Sequence, residues 1–150
     1  MPREGQFVDT LAVIGVGLIG GSLAGALKEC GAVGCVVGCG RSTENLEAAA
    51  QRGLIDRYTT DPIAAVAEAD LVLLATPVNA LIQTLPTLAK HVRPDAIITD
   101  AGSVKCEVIN AARTTLGETF ERFVPGHPIA GREKSGSQAA VTDLFRDHWV

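Results

Sequence analysis

The sequence predicts a doubly wound α/β fold, a mostly parallel sheet with helices on both faces. Three observations predict it. Short apolar runs rich in β-branched residues alternate with longer amphipathic stretches along the 150 residues. The short runs are apolar throughout, as strands covered on both faces are. Ala, Val, Leu and Ile dominate the apolar content alongside 16 glycines, while aromatic residues make up only 4%. Right-handed crossovers between parallel strands then place helices on both sides of the sheet.

Each element has a local reason. Residues 7–15 contain LAVIG, too short for a helix and closed by glycine, so they read as a strand. Leu18–Glu29 sets small and apolar residues at helical spacing and ends before Cys30-Gly31. Residues 33–38 contain CVVG, a second strand. Residues 42–52 form a helix, with Ser42 or Thr43 as N-cap, Glu44 and Glu47 early, and Gly53 after its end. Asp61-Pro62 opens another helix, with Asp as cap and Pro at the first position. Residues 70–75 (DLVLLA) are a continuous apolar strand, followed by a helix over Val78–His91 ahead of Arg93-Pro94. Residues 96–100 (AIITD) form a strand, 104–116 a helix closed by Gly117, and 122–125 (RFVP) a short strand. Repeats and low-complexity segments are absent.

Composition excludes several functions. Lys plus Arg is 13 and Asp plus Glu is 17, a net charge of −4, so no basic footprint for nucleic acid is expected. No apolar run approaches the ~18 residues of a membrane span. The opening MPREGQFVD lacks a signal-peptide pattern, and a cytoplasmic protein is expected. Cys30, Cys35, Cys39 and Cys106 match neither a zinc ribbon nor a disulfide scaffold, and read as reduced, mostly packing residues. No metal site is expected. His91 beside Lys90 and Arg93 reads as solvated, and His148 carries no motif.

Gly15-Val16-Gly17-Leu18-Ile19-Gly20 is a GxGxxG that follows a strand and opens a helix, the context of a dinucleotide-binding, Rossmann-type turn. Gly15 would permit the turn, Gly17 the approach of a pyrophosphate, and Gly20 close helix–strand packing. The helix N–H groups and dipole, with Leu18 and Ile19 in the first turn, would hold the anion. A plain strand-to-helix turn is the bland alternative. An NAD site usually places an acid about 20 residues further on. Gly40 stands there instead, followed by Arg41 and Ser42, whose guanidinium and hydroxyl suit a 2′-phosphate, so NADP is favoured over NAD. A solvated Arg41 beside a turn glycine is the alternative. Ligands on such sheets bind beyond the carboxyl ends of the strands. Residues 15–20, 38–42, 75–79 and 100–105 are therefore expected to converge on one crevice.

Two further stretches carry a resemblance. Asp100-Ala101-Gly102-Ser103-Val104-Lys105 follows one strand, and GHPIAGREKSG (126–136) follows another. With GVGLIGGS (15–22) and ATPV (75–78), they make the chain from about residue 11 to 150 resemble the prephenate/arogenate dehydrogenases of tyrosine biosynthesis. The resemblance implies an NAD(P)-dependent oxidative decarboxylation: hydride leaves C4 of a cyclohexadienyl ring, the 4-hydroxyl becomes a carbonyl, and loss of carbon dioxide restores aromaticity. It implies that His127 accepts the hydroxyl proton, a role a neutral imidazole can fill. It also implies that Ser103 acts at the nicotinamide and the substrate hydroxyl, although Ser103 could instead cap the helix starting near residue 104. Thr76-Pro77 resembles the nicotinamide-side turn, and a plain turn fits equally well. Glu133 would border the substrate entrance, or be a solvated charge with Lys134; Arg132 could meet a substrate carboxylate. Lys105 is either a surface charge or a support for its loop.

Such relatives continue into a helical domain that dimerises and supplies further substrate groups. Residues 1–150 are therefore expected to be a truncated dinucleotide-binding domain of a homodimer, with the final residues starting another strand. Two rivals remain: another dehydrogenase of the 3-hydroxyacid type, and a nucleotide-binding module without turnover.

Overall fold

The computed structural model describes residues 3–130 and 135–149. Its central strand is β1 (Val8–Ile14), whose alternate side chains face two helical layers. Leu11 and Val13 pack on one face with Val36 of β2 (Val33–Cys39), Ala24 of α1 (Leu18–Glu29), and Leu46 and Ala49 of α2 (Thr43–Gln51). Ala12 and Ile14 pack on the other with Val66 of α3 (Pro62–Val66) and Val72 and Leu74 of β4 (Leu71–Leu74). Leu81, Leu85 and Leu88 of α4 (Val78–His91) join that second layer, as do Ile98 of β5 (Ile97–Asp100) and Val108 and Ala112 of α5 (Lys105–Thr115). Burying a leucine side chain of this kind stabilises by about 1.5–3 kcal/mol. The expected helices on both faces are therefore present, each with its own apolar core.

The sheet has six strands in the order β3-β2-β1-β4-β5-β6, every neighbouring pair parallel, with β3 at Arg57–Thr59 and β6 at Phe123–Val124. The chain winds outward from β1 in one direction and then from β4 in the other. The topological switch point lies between those two strands, where a ligand crevice opens at the carboxyl ends.

Local signals explain the boundaries. Ser42, not Thr43, caps α2: its Oγ accepts from Asn45 N at 3.2 Å. Asp61 caps α3 through Oδ1, which accepts from Ile63 N at 3.0 Å, with Pro62 at the first position. Two expectations need correction. The edge strand β3 was not foreseen, because Arg57-Tyr58-Thr59 offers three polar or exposed residues and no apolar run. The final residues do not start a strand among the described residues: 142–147 form turns. Leu144 is buried there, and the Trp149 carbonyl accepts from Ile129 N at 2.9 Å while its side chain stays exposed. The cysteines also divide: Cys39 is buried and Cys35 half-buried, but Cys30 and Cys106 are exposed and are not packing residues. Among the described residues no helix is long and apolar enough to cross a membrane.

Candidate active-site crevice

The four strand ends named from the sequence do meet. Two adjoining hollows of about 460 and 430 Å³ share Gly17, Ala75, Thr76, Pro77 and Gly136. The first reaches past Cys39, Gly40, Arg41 and Ser42, at the end of β2. The second reaches Leu18, Ile19, Gly102 and Ser103, at the end of β5.

The glycine turn is shaped by close packing. Gly15 has φ +99°, and a Cβ there would lie 2.7 Å from the Ala75 carbonyl group. A Cβ on Gly20 would lie 2.1 Å from the Gly15 carbonyl oxygen, so α1 can approach β1 only with glycine at that position. Gly17 differs: a Cβ there would meet nothing within 4 Å, so the backbone is open to the crevice. Gly17 is also the N-cap of α1 and no side chain caps this helix, which leaves its first-turn N–H groups available to an anion. Thr76 lines both hollows, and its Oγ1 is buried without a hydrogen-bond partner among the described residues. A buried unpaired hydroxyl costs stability unless something else supplies its partner. Uncapped amides, an open glycine and an orphan hydroxyl along one crevice together fit a dinucleotide.

At the β2 end, Arg41 is exposed and forms no ion pair among the described residues. Cys39, buried on the same hollow, has its thiol pushed up to about 11 by burial and, secondarily, by the Asp61 carboxylate. Asp61 also caps α3.

At the β5 end, one buried carboxylate organises two loops. Asp100 has no exposed side-chain surface. Its Oδ2 accepts from Gly102 N at 2.9 Å and from Lys105 Nζ, and its Oδ1 accepts from Gly126 N at 3.2 Å. Gly102 precedes Ser103, and Gly126 precedes His127. Asp100 therefore fixes the backbone beside both candidate catalytic residues, and Lys105 is a support rather than a surface charge. Ser103 does not cap α5: that helix begins at Lys105 with Val104 as N-cap and no side-chain bond. Ser103 is exposed on the crevice wall, and His127 is exposed on the loop after β6. The next residue, Pro128, lines a small apolar cavity with Ile19, Leu23 and Ala101. Arg132 and Glu133 lie outside the described residues. Among the described residues no group of His, Cys, Asp and Glu is placed to hold a metal ion.

Sequence reasoning missed Asn45, Gly136 and Thr60 on the crevice, and the role of Asp100 beside it. Asp100 was visible at a strand end, followed by a glycine whose amide such a carboxylate captures. Gly136 closes the GHPIAGREKSG stretch, which was read for its histidine and not for the crevice wall, and Asn45 and Thr60 carry no local signal.

Comparison with known proteins agrees with this geometry. Residues 23–150 match the family model described as prephenate dehydrogenase, nucleotide-binding domain. Prephenate dehydrogenase of Bacillus subtilis is 39% identical over 143 residues, 95% of this chain and 38% of its own length. Cyclohexadienyl dehydrogenase of Zymomonas mobilis is 40% identical over 140 residues, 93% of this chain and 47% of its own. Among solved structures, prephenate dehydrogenase of Aquifex aeolicus in complex with hydroxyphenyl propionate and NAD+ superposes with a TM-score of 0.85 at 36% identity. It covers 93% of this chain, which spans 48% of that one. The chain thus spans about half or less of the length of these relatives. The matches set aside the 3-hydroxyacid dehydrogenase reading, and the chain belongs to the prephenate dehydrogenase family, in its nucleotide-binding domain.

Proposed function

We propose that residues 1–150 are the dinucleotide-binding domain of a cytoplasmic enzyme that oxidatively decarboxylates prephenate or arogenate, with NADP preferred over NAD. The observation that carries this reading is the single crevice in which the glycine turn and the Ser103 loop meet, with the His127 loop tied beside it through Asp100. A bound, oxidised nicotinamide would supply the acceptor for the hydride that leaves C4 of the ring. His127 takes the proton of the 4-hydroxyl as C4 becomes a carbonyl. The imidazole returns that proton to the oxygen once carbon dioxide has left C1 and the ring is aromatic. Ser103, whose hydroxyl both donates and accepts, orients the 4-hydroxyl toward the imidazole. Arg132 is assigned to a substrate carboxylate and Glu133 to the substrate entrance.

The NADP preference rests on Gly40, which supplies no acid for the ribose hydroxyls, and on Arg41 and Ser42 at the mouth of the same hollow. Gly15, Gly17, Leu18, Ile19 and Gly20 hold the diphosphate, and Thr76 and Pro77 flank the nicotinamide. Further substrate groups and a homodimer interface are assigned to the rest of the protein, in keeping with the greater length of its relatives.

The test is reduction of NADP and of NAD by the full-length protein, followed with prephenate and with arogenate. Turnover of one substrate, faster with NADP, is expected. Dinucleotide binding without turnover of either would favour a non-catalytic module, and no binding would remove the reading.

A further inference from the structure

Gly136 lines both hollows, so the stretch that continues the His127 loop forms part of the crevice wall. Side chains from two helices hold it there. Asn45, in the first turn of α2, accepts from Ser137 N through Oδ1 at 2.9 Å, and its carbonyl accepts from Ser137 Oγ at 2.9 Å. Arg52, at the other end of α2, donates to the carbonyls of Ser137 and Ala140. Ser22 of α1 accepts from Val141 N at 2.9 Å. Ser137 and Ser22 are fully buried.

Asn45 spends the other end of its carboxamide on the glycine turn: Nδ2 donates to the Val16 carbonyl at 2.7 Å. One side chain therefore joins three parts of the crevice. These are the turn assigned to the diphosphate, the α2 N-terminus next to Arg41 and Ser42, and the segment that continues the His127 loop. The join demands a carboxamide. It must donate to a carbonyl at one end and accept from an amide at the other. A carboxylate would keep the acceptor for Ser137 and lose the donor to Val16.

We infer that Asn45 is a positioning residue that couples occupancy of the glycine turn to the backbone of residues 135–141; this rests on the crevice being the dinucleotide site. A diphosphate seated on the first-turn amides orders the Gly15–Gly20 backbone, including the Val16 carbonyl. Asn45 transmits that constraint to Ser137. Linkage makes the effect reciprocal, so a segment held by Asn45 tightens the dinucleotide by the same factor by which the dinucleotide tightens the segment.

Hydrogen exchange read by mass spectrometry on the full-length protein, with and without saturating NADP, tests the coupling. In the wild type, NADP should slow exchange in the peptide over 15–22 and slow it in the peptide over 135–141 by at least about fivefold, the low end of ordinary coupling. In Asn45→Asp and Asn45→Ala the turn should still be protected, while protection of 135–141 falls below about twofold and NADP affinity drops by the same factor. Asn45→Asp keeps the Ser137 contact, so it carries the test even if the alanine variant folds poorly. Equal protection of 135–141 in all three proteins would overturn the coupling while leaving the dinucleotide site standing. Protection of neither peptide in the wild type would remove the dinucleotide reading, and the coupling with it.

Discussion

Replacing Lys105 with methionine takes away the ammonium that faces the Asp100 carboxylate and leaves that carboxylate buried on two backbone amides. Breaking a fully buried pair by removing one partner costs about 3–5 kcal/mol. Here the Lys105 side chain keeps 26% of its exposure while that of Asp100 has none, and two N–H donors remain, so the low end, about 3 kcal/mol, is expected. Asp100→Asn removes the charge instead. Its carboxamide accepts from one of the two amides but presents NH2 to the other, and one unsatisfied buried donor costs about 1–3 kcal/mol. The double variant carries the second defect but no stranded charge. It should therefore resemble Asp100→Asn alone and be more stable than the sum of the single losses by about 3 kcal/mol, the Lys105→Met loss itself and the top of the range for contacting residues. At about 2–4 °C per kcal/mol for a chain of this size, Lys105→Met should melt about 6–12 °C below wild type. Thermal and urea unfolding of the four proteins, followed by circular dichroism, completes the cycle. Additive losses would refute a coupled pair, and a Lys105→Met midpoint within about a degree of wild type would refute the buried-charge argument.

Gly40→Asp should reverse or erase an NADP preference by repelling the 2′-phosphate; a Cβ at this position meets only Leu46, at 3.6 Å, so the variant should fold, and tighter NAD binding by the wild type would sink the idea. His127→Asn should lower turnover by about 10² to 10⁴ with little change in dinucleotide affinity, read from steady-state rates beside a binding titration; near-normal turnover would assign the proton to another group. The buried Cys39 thiol, pushed up to about 11, exists as thiolate at about one part in a thousand at pH 8, so iodoacetamide should label the exposed Cys30 and Cys106 and spare Cys39 until the chain unfolds. Labelling of all three at one rate in the folded protein would contradict the burial.

The elements that were legible carry their punctuation in the sequence. Leu18–Glu29 lies between a glycine turn and Cys30-Gly31, and Val78–His91 between Pro77 and Arg93-Pro94; both helices have those bounds in the structure. The edge strand β3 was not legible, because three residues with one exposed row satisfy their pairing against Val37–Cys39 without any apolar signature. The same division holds for the crevice. Its glycine turn and strand ends are short contiguous motifs and could be read. Asn45, Arg52 and Ser137 meet across more than eighty residues of sequence, in a pairing that neither side announces. Asp100 and Lys105 lie in between: the residues were seen, but the sequence could not distinguish a support from a surface charge until the helix put Nζ beside the carboxylate.

The two ends of the crevice are built from different materials, and this separates their roles in folding from their roles in chemistry. The glycine turn is defined by backbone approach, with Gly15 against Ala75 and Gly20 against Gly15, so a side chain added there disturbs the β1–β4 switch point as well as the proposed anion site. Stability and binding cannot be altered independently at those positions. Ser103 and His127 are exposed, and neither side chain makes a hydrogen bond among the described residues. Their places are set by the neighbouring amides of Gly102 and Gly126 on Asp100. A chain that holds its candidate catalytic side chains through adjacent backbone leaves their polar atoms free for the substrate of the proposed reaction, and moves the structural burden onto a buried carboxylate. Truncating Ser103 or His127 removes groups the fold does not lean on, whereas truncating Asp100 to alanine releases both loops at once.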